Sequence, residues 1–476
     1  MKPSFTHHIC PEYVFNFGPS GVQRTVPALP NGEQNFYGQE YFSNYGCIAG
    51  AFLQRLSERF ADWAELAVAI YIADRFSPRR DPRLRKDFAH RRRKIHLQIA
   101  VLDLPFWQST DTQKVLRDAL WILTEDDWQV VFTKCNTPLS SCTQEFLITE
   151  PILHPVRVAL FSGGLDSFAG VALQLQNPAL KHVFVSGVTH GRMEAGQRQQ
   201  MSSLLRNRSN KNVRHLQIGY GLKEKKIRDN TLEGSQRSRA FMHITLGAIT
   251  ALHAGTNELY MYENGFGALN LPFDATQIGI ETSKAANPAF HRAMERVVEI
   301  ISGRPFRIQN PFLFLTKAQA LRHAHIDEFG ITLAETFSCD RFPDWREGRP
   351  QCGTCASCIL RRLSIEAADL DDYDLGQGYV RDVKSPLFIP SDSAASVLAH
   401  YEGQASALDK ALNDKNPWQA LALEFPELFE VESALKPNDQ SEQDVREALI
   451  QLLRNQVAEW KAFSGRAALD RYLVAA

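Results

Sequence analysis

The stretch Val156-Arg-Val-Ala-Leu-Phe-Ser-Gly-Gly-Leu-Asp-Ser167, continued by Phe168-Ala-Gly-Val-Ala-Leu-Gln-Leu175, narrows the possible folds of this chain more than any other. It reads as a buried strand, a tight polar turn and an amphipathic helix. Phe168, Val171, Ala172 and Leu175 fall at i, i+3, i+4 and i+7, the spacing of one apolar helix face. Gly163 and Gly164 let the backbone approach an anion, and Asp166 or Ser167 can cap the first turn. Unpaired N–H groups at such a helix start suit a phosphate. No Gly-Lys-Ser/Thr follows at Walker A spacing, so the turn is not that loop.

The surrounding block, residues 151–372, alternates strand and helix, which favours an α/β domain with a parallel sheet covered by helices. Its strand candidates are Val156–Phe161, His182–Val188, Arg214–Ile218 and Glu258–Glu263; Ser238–Ala254 reads as a helix stopped by Gly255. In such sheets ligands sit beyond the carboxyl ends of the strands, where the Ser162–Ser167 turn falls. A chain of 476 residues suggests about three domains. Residues 1–150 read as an α+β accessory domain, with strands at Leu66–Ala73, Ile95–Leu102 and Trp128–Phe132 and a helix at Thr112–Leu123. Residues 373–476 read as a mostly helical extension, clearest at Ser441–Phe463.

A formal net charge of −1 argues against a whole-surface drive onto nucleic acid or membrane. The one dense basic run, Arg79–Lys94, reads as a solvated loop, with an acidic partner or a nucleic-acid backbone as the alternative. Met1 is followed by no apolar signal segment, and the most apolar stretch is too short to span a bilayer.

Four of the eight cysteines stand at Cys339-x12-Cys352-x2-Cys355-x2-Cys358. Two-residue gaps let neighbouring thiolates reach one ion, and Gly353 permits the tight turn between them. The expectation is a closed, structural zinc site in a reducing cytoplasm, with disulfides the rival reading.

Ser162-Gly-Gly-Leu-Asp-Ser167 resembles the SGGxDS signature of the PP-loop ATP pyrophosphatases, which cleave ATP between the α- and β-phosphates. With Cys352-Gly-Thr-Cys-Ala-Ser-Cys-Ile-Leu-Arg361 matching CGxCxxCxxR, the chain is similar to the QueC family of 7-cyano-7-deazaguanine synthases. Gly196-Gln-Arg-Gln199 and Asn310-Pro-Phe-Leu-Phe-Leu-Thr-Lys317 are weaker agreements. The resemblance covers about 160 to 365; the long flanking segments look like the QueC-like proteins of bacterial antiphage operons, such as QatC.

The resemblance implies ATP, Mg2+ and Zn2+ as cofactors and a 7-deazaguanine substrate. It implies that a carboxylate is adenylated and then attacked by an amine, the N-terminus of a partner protein from the same operon. Phe161, Ser162, Gly163, Gly164, Leu165, Asp166 and Ser167 would form the ATP site, with Asp166 capping the helix or positioning magnesium. Lys317, Arg237 and Arg239 are candidates for neutralising phosphate charge; Ser162, Asp166, Lys317 and Arg239 form the expected catalytic set. Glu263-Asn264-Gly265 and Asn270 are candidates for reading a purine-like edge. Two alternatives stay open: an ordinary synthase using ammonia, and an ATP-binding assembly module without turnover. The clustered cysteines disfavour a tRNA thiolase, and Lys2 after Met1 disfavours a fused amidotransferase.

Overall fold

A computed structural model describes residues 12–17, 41–79, 92–136, 140–143, 156–206, 212–222, 232–272, 284–326, 333–340, 351–374, 379–385, 387–435 and 441–466. Their nine strands are β1 (Glu12–Phe17), β2 (Tyr41–Ser43), β3 (Lys94–Val101), β4 (Asp127–Lys134), β5 (Val156–Leu160), β6 (Lys181–Val188), β7 (Val213–Leu222), β8 (Glu258–Tyr260) and β9 (Arg307–Gln309). The chain divides into two compact units. One takes Met1–Pro151, Ile218–Ile249 and Ala293–Phe306; the other takes Ile152–Gln217, Thr250–Arg292 and Arg307–Ala476.

In the first unit β1, β3 and β4 form a three-stranded sheet in that order, and both pairings are parallel. Helix Glu58–Arg75 lies between β1 and β3 in sequence, and helix Thr110–Thr124 between β3 and β4. Parallel neighbours need such crossovers, so this part is α/β where an α+β arrangement was expected. Leu66–Ala73, expected as a strand, lies inside helix Glu58–Arg75 and is buried along its whole length. A helix covered on every side loses its 3.6-residue polarity pattern, and the apolar run then imitates a strand. The helix is started by Ser57, whose side chain accepts from Phe60 N at 3.3 Å.

Residues 80–91 of the basic run lie outside the described residues; Arg92 and Lys94 are exposed, as a solvated loop predicts, but Arg79 and Arg93 are not. Fully buried Arg93 pairs with Asp74 and Asp126, each at 2.6 Å, and Arg79 meets Asp126 at 2.5 Å. Ser238 Oγ donates to Asp74 at 2.7 Å. Two carboxylates around one planar guanidinium give these buried charges the partners they require.

In the second unit the sheet runs β7-β6-β5-β8-β9, and β5 pairs parallel with both β6 and β8. In the first unit, β2 pairs antiparallel with the last residues of β7, Tyr220–Leu222. The order reverses at β5, because the chain first builds outward through β6 and β7 and then returns to β8. Crevices at such a switch point bind ligands outside the strand ends. Helix Leu165–Leu175 follows β5, and its Phe168, Val171, Ala172 and Leu175 enter one core cluster with Phe184, Phe312 and Leu321, as their spacing predicts. β8 is shorter than the expected Glu258–Glu263: beyond Tyr260 the chain leaves the sheet, and Tyr262 packs so closely on Gly170 that a Cβ there would lie 2.0 Å from its ring. Helices Asp392–Leu412, Pro417–Glu424, Glu427–Leu435 and Glu442–Arg466 share a second core cluster with Phe266, Ile359 and Leu363. No helix of the described residues is long and apolar enough to cross a membrane.

Candidate functional site

A cavity of about 380 Å3 opens at the carboxyl ends of β5 and β8. Its lining brings together Ser162, Gly164, Leu165, Asp166, Ser167 and Lys317, and adds Glu263 and Asn270. Phe161 is not part of it: the ring is buried and packs edge-on against His215 at 5.5 Å. Arg237 and Arg239 do not line it either. Both belong to the first unit, where Arg239 acts electrostatically on Tyr71, Tyr220 and His243.

The turn is held by its own hydroxyls. Ser167 Oγ donates to Gly164 O at 2.9 Å, accepts from Ser162 N at 3.2 Å and lies 3.0 Å from Ser162 Oγ, which itself accepts from Gly164 N at 3.2 Å. Gly164 is the N-cap of helix Leu165–Leu175 and no side chain caps it, so neither Asp166 nor Ser167 plays the expected capping role. The first-turn N–H groups therefore remain available to an anion.

Gly196-Gln197 acquires a physical meaning here. Gln197 Nε2 donates to Ser162 O at 3.0 Å, and Gln200 Nε2 to Gly163 O at 3.1 Å. Gly163 (φ +85°) also accepts from Phe337 N at 2.9 Å. The Phe337 ring fills the space that two absent side chains leave. A Cβ on Gly163 would lie 2.7 Å from it, and one on Gly196 2.1 Å. Gly196→Ala is expected to destabilise the fold by about 1–3 kcal/mol through overpacking. Adding Phe337→Ala should recover part of that loss, read as a coupling in a chemical-denaturation double-mutant cycle; strictly additive effects would contradict the contact.

Lys317 is the first residue of helix Lys317–His323, whose cap is complete: Thr316 Oγ1 accepts from Gln319 N at 3.2 Å, and Gln319 Oε1 accepts from Thr316 N at 2.9 Å. This box fixes the lysine stem. Lys317 Nζ donates to Asp166 Oδ2 at 2.5 Å, and Asn264 Nδ2 reaches the same oxygen at 3.4 Å. Asp166 Oδ1 is buried and takes no hydrogen bond from an N–H or hydroxyl of the described residues. Burial works against the Lys317 charge, but Asp166 and Glu263 together outweigh it and hold its pKa above the ordinary value.

Glu263 was read in the sequence only as a base-reading residue, and the structure places it against Asp166. Burial first, then the neighbouring Asp166 charge, push its pKa up to about 8. The folded state therefore keeps a proton on Glu263 that the unfolded chain releases near its ordinary 4.5. Stability from this group is fully present below pH 4.5, falls as pH rises through about 8, and is flat above that. Glu263→Gln should flatten the pH dependence of unfolding across that window, measured by denaturant titration at successive pH values; an unchanged slope would count against it. Nothing local in the sequence signals this shift, because Asp166 is almost a hundred positions away.

Cys339, Cys352, Cys355 and Cys358 meet with all four sulfurs within 4.8 Å of one another. A tetrahedral ion at Zn–S distances of about 2.3 Å needs sulfurs roughly 3.8 Å apart. Cys352 and Cys358 are 3.9 Å apart, so the donor set fits zinc, and the described cysteines are all free. Cys352 Sγ accepts from Thr354 N at 3.5 Å and Cys355 N at 3.3 Å, and Gly353 (φ +83°) makes the turn between them. Arg361, last residue of the motif, is buried and donates to Asp374 Oδ1 (2.7 Å), Leu333 O (2.6 Å) and Thr336 Oγ1 (2.5 Å). It pins the segment that carries Phe337 and Cys339. Tyr401 and Gln404, from the C-terminal helices, complete the cavity lining and were not foreseen from the sequence.

Residues 268–369 match the model of the family described as Queuosine biosynthesis protein QueC. The chain is 28% identical over 234 residues to the 7-cyano-7-deazaguanine synthase of Anaeromyxobacter sp. (strain Fw109-5), covering 45% of this chain and 93% of that one. It is 26% identical over 231 residues to the 7-cyano-7-deazaguanine synthase of Nitrosococcus oceani, covering 46% and 96%. With 7-cyano-7-deazaguanine synthase 2 of Desulfitobacterium hafniense (strain Y51) the identity is 32% over 121 residues, 23% of this chain and about half (48%) of that relative. No solved structure matches. The chain thus carries a QueC-like domain, joined to long segments that the family match does not reach.

Proposed function

We propose that this chain activates the carboxylate of a 7-carboxy-7-deazaguanine-type base with ATP, so that an amine can capture it. The carboxylate oxygen bonds the α-phosphorus of ATP and pyrophosphate leaves. The amine nitrogen then bonds the carbonyl carbon, AMP departs, and the nitrogen loses a proton. The observation that carries this reading is the uncapped helix start at Ser162–Ser167, facing Lys317 and Asp166 at the switch point of the sheet. The N–H groups of the turn and the hydroxyls of Ser162 and Ser167 would hold pyrophosphate, and Lys317 would offset charge developing on it. Asp166, a buried carboxylate of the cavity lining, suits the oxygen-ligand chemistry of Mg2+ and would hold the ion, which would supply positive charge to offset that of the phosphates. Zinc in the four-cysteine site would be structural, since no coordination position stays open.

For the nucleophile we propose the N-terminal amine of a protein partner in an antiphage system. The first unit and the C-terminal helices supply surface beyond what amidation of a small molecule needs, and a docked amine gains the advantage of an effectively unimolecular step. The test combines AMP release with intact-mass spectrometry of proteins encoded beside this one, using ATP and 7-carboxy-7-deazaguanine. A neighbour that gains the mass of the acylating base supports the proposal. Efficient conversion of ammonia to the nitrile, with no neighbour modified, makes the chain an ordinary 7-cyano-7-deazaguanine synthase. Absence of AMP with every amine would reduce it to a binding module.

A further inference from the structure

Beyond the loop and its charges, the cavity is lined by Phe266, Leu271, Leu360 and Tyr401, with the amides of Asn270 and Gln404 among them. Apolar walls with a few fixed polar groups are what a flat heteroaromatic ligand requires. Gln404 and Tyr401 stand on helix Asp392–Leu412, which lies C-terminal to the segment matching the QueC family.

The orientation of the Gln404 amide follows from its partners. Gln404 is 2% exposed, and its Nε2 donates to Leu271 O at 2.9 Å and to Pro272 O at 3.0 Å. Two carbonyls can only accept, so the amide nitrogen must face them and both of its N–H groups are used. The side chain has Oε1 left, a pure acceptor presented by a residue of the cavity lining. Tyr401, one turn earlier, is held rigid: its hydroxyl donates to Ala356 O at 3.0 Å and its ring stacks on Trp460 at 5.2 Å, 19° between planes.

We infer that Gln404 selects the base, its Oε1 accepting a hydrogen bond from the amino-bearing edge of a guanine-like ring beside Tyr401. This rests on the function proposed above and deepens it. It makes the C-terminal extension part of the substrate site and assigns specificity to a residue outside the family-matched segment. A base lacking the exocyclic amino group would bury Oε1 without a donor, which penalises it where a base with that group is accepted.

The test compares 7-carboxy-7-deazaguanine with its analogue lacking the 2-amino group, using the full chain. AMP release gives kcat/KM, and calorimetry without ATP gives base affinity directly. Wild type should favour the amino-bearing base by roughly 10–100-fold. Gln404→Leu should lose that preference while KM for ATP stays within about twofold, as the hydrogen bonds of Gln404 go to Leu271 and Pro272 and not to the phosphate-binding groups. Zinc content and thermal unfolding report whether the variant folds, and Gln404→Met, unbranched and of similar length, takes its place if it does not. A wild-type preference near unity, or a preference kept by the substituted chain, overturns the assignment. If wild type releases no AMP with either base, the proposed activity fails, and the calorimetric preference still decides the role of Gln404.

Discussion

Lys317→Ala is expected to lower AMP release from ATP by about 10²–10³-fold in a protein that stays folded. The size follows from the place of the ammonium. It is buried, paired with Asp166 at 2.5 Å, aimed by a complete capping box, and set beside a helix start whose N–H groups are uncapped. Charge developing on a leaving pyrophosphate would meet this group inside the cavity, where one fixed donor counts for more than at an open surface. The fold should tolerate the loss, because Glu263 already holds a proton at neutral pH and the remaining carboxylate can be hydrated from the cavity. AMP release measured beside zinc content and thermal unfolding checks this. Activity within tenfold of wild type, in a folded variant, removes Lys317 from the reaction.

Cys355→Ser should have the largest effect on structure. The purified chain is expected to hold about one zinc ion, and the variant almost none. Binding of zinc to small four-ligand sites releases about 10–16 kcal/mol, as much as or more than the whole stability of an ordinary domain. Removing it should therefore melt the segment around Cys339 and Cys352–Cys358 before the parallel sheet. Elemental analysis and hydrogen exchange of the variant give the readouts. Full zinc occupancy in Cys355→Ser, or unchanged protection of residues 333–340, would refute the assignment.

The strand–turn–helix at Ser162–Ser167 and the cysteine knuckle were legible because each is written in consecutive residues. A glycine pair between strand and helix, or thiols two residues apart, specify geometry locally. Helix Glu58–Arg75 was not legible as a helix, since Leu66–Asp74 is buried throughout and offers no periodicity. Phe337, Glu263, Tyr401 and Gln404 were hidden for another reason: each acquires its role from groups distant in sequence. Arg239 shows the converse. An arginine near a helix start invites a phosphate, but here its electrostatic neighbours are two tyrosines and a histidine of the first unit. Gly163 and Gly196, read as part of a tight turn open to an anion and as a weak motif, prove to be two walls of a single niche for the Phe337 ring.

That niche constrains how this chain can evolve. Gly163, Gly196 and Phe337 come from three separate segments, and no two of them can change size independently. A lineage that enlarges either glycine must first shrink the ring, and a lineage that shrinks the ring alone opens a void beside the Ser162–Ser167 turn. Each single step is unfavourable, so the three positions are expected to drift together or not at all. Phe337 is also two residues from Cys339, which extends the same restraint into the metal knuckle. Descendants that discard the cysteines would then have to rebuild the packing under the Ser162–Ser167 turn at the same time.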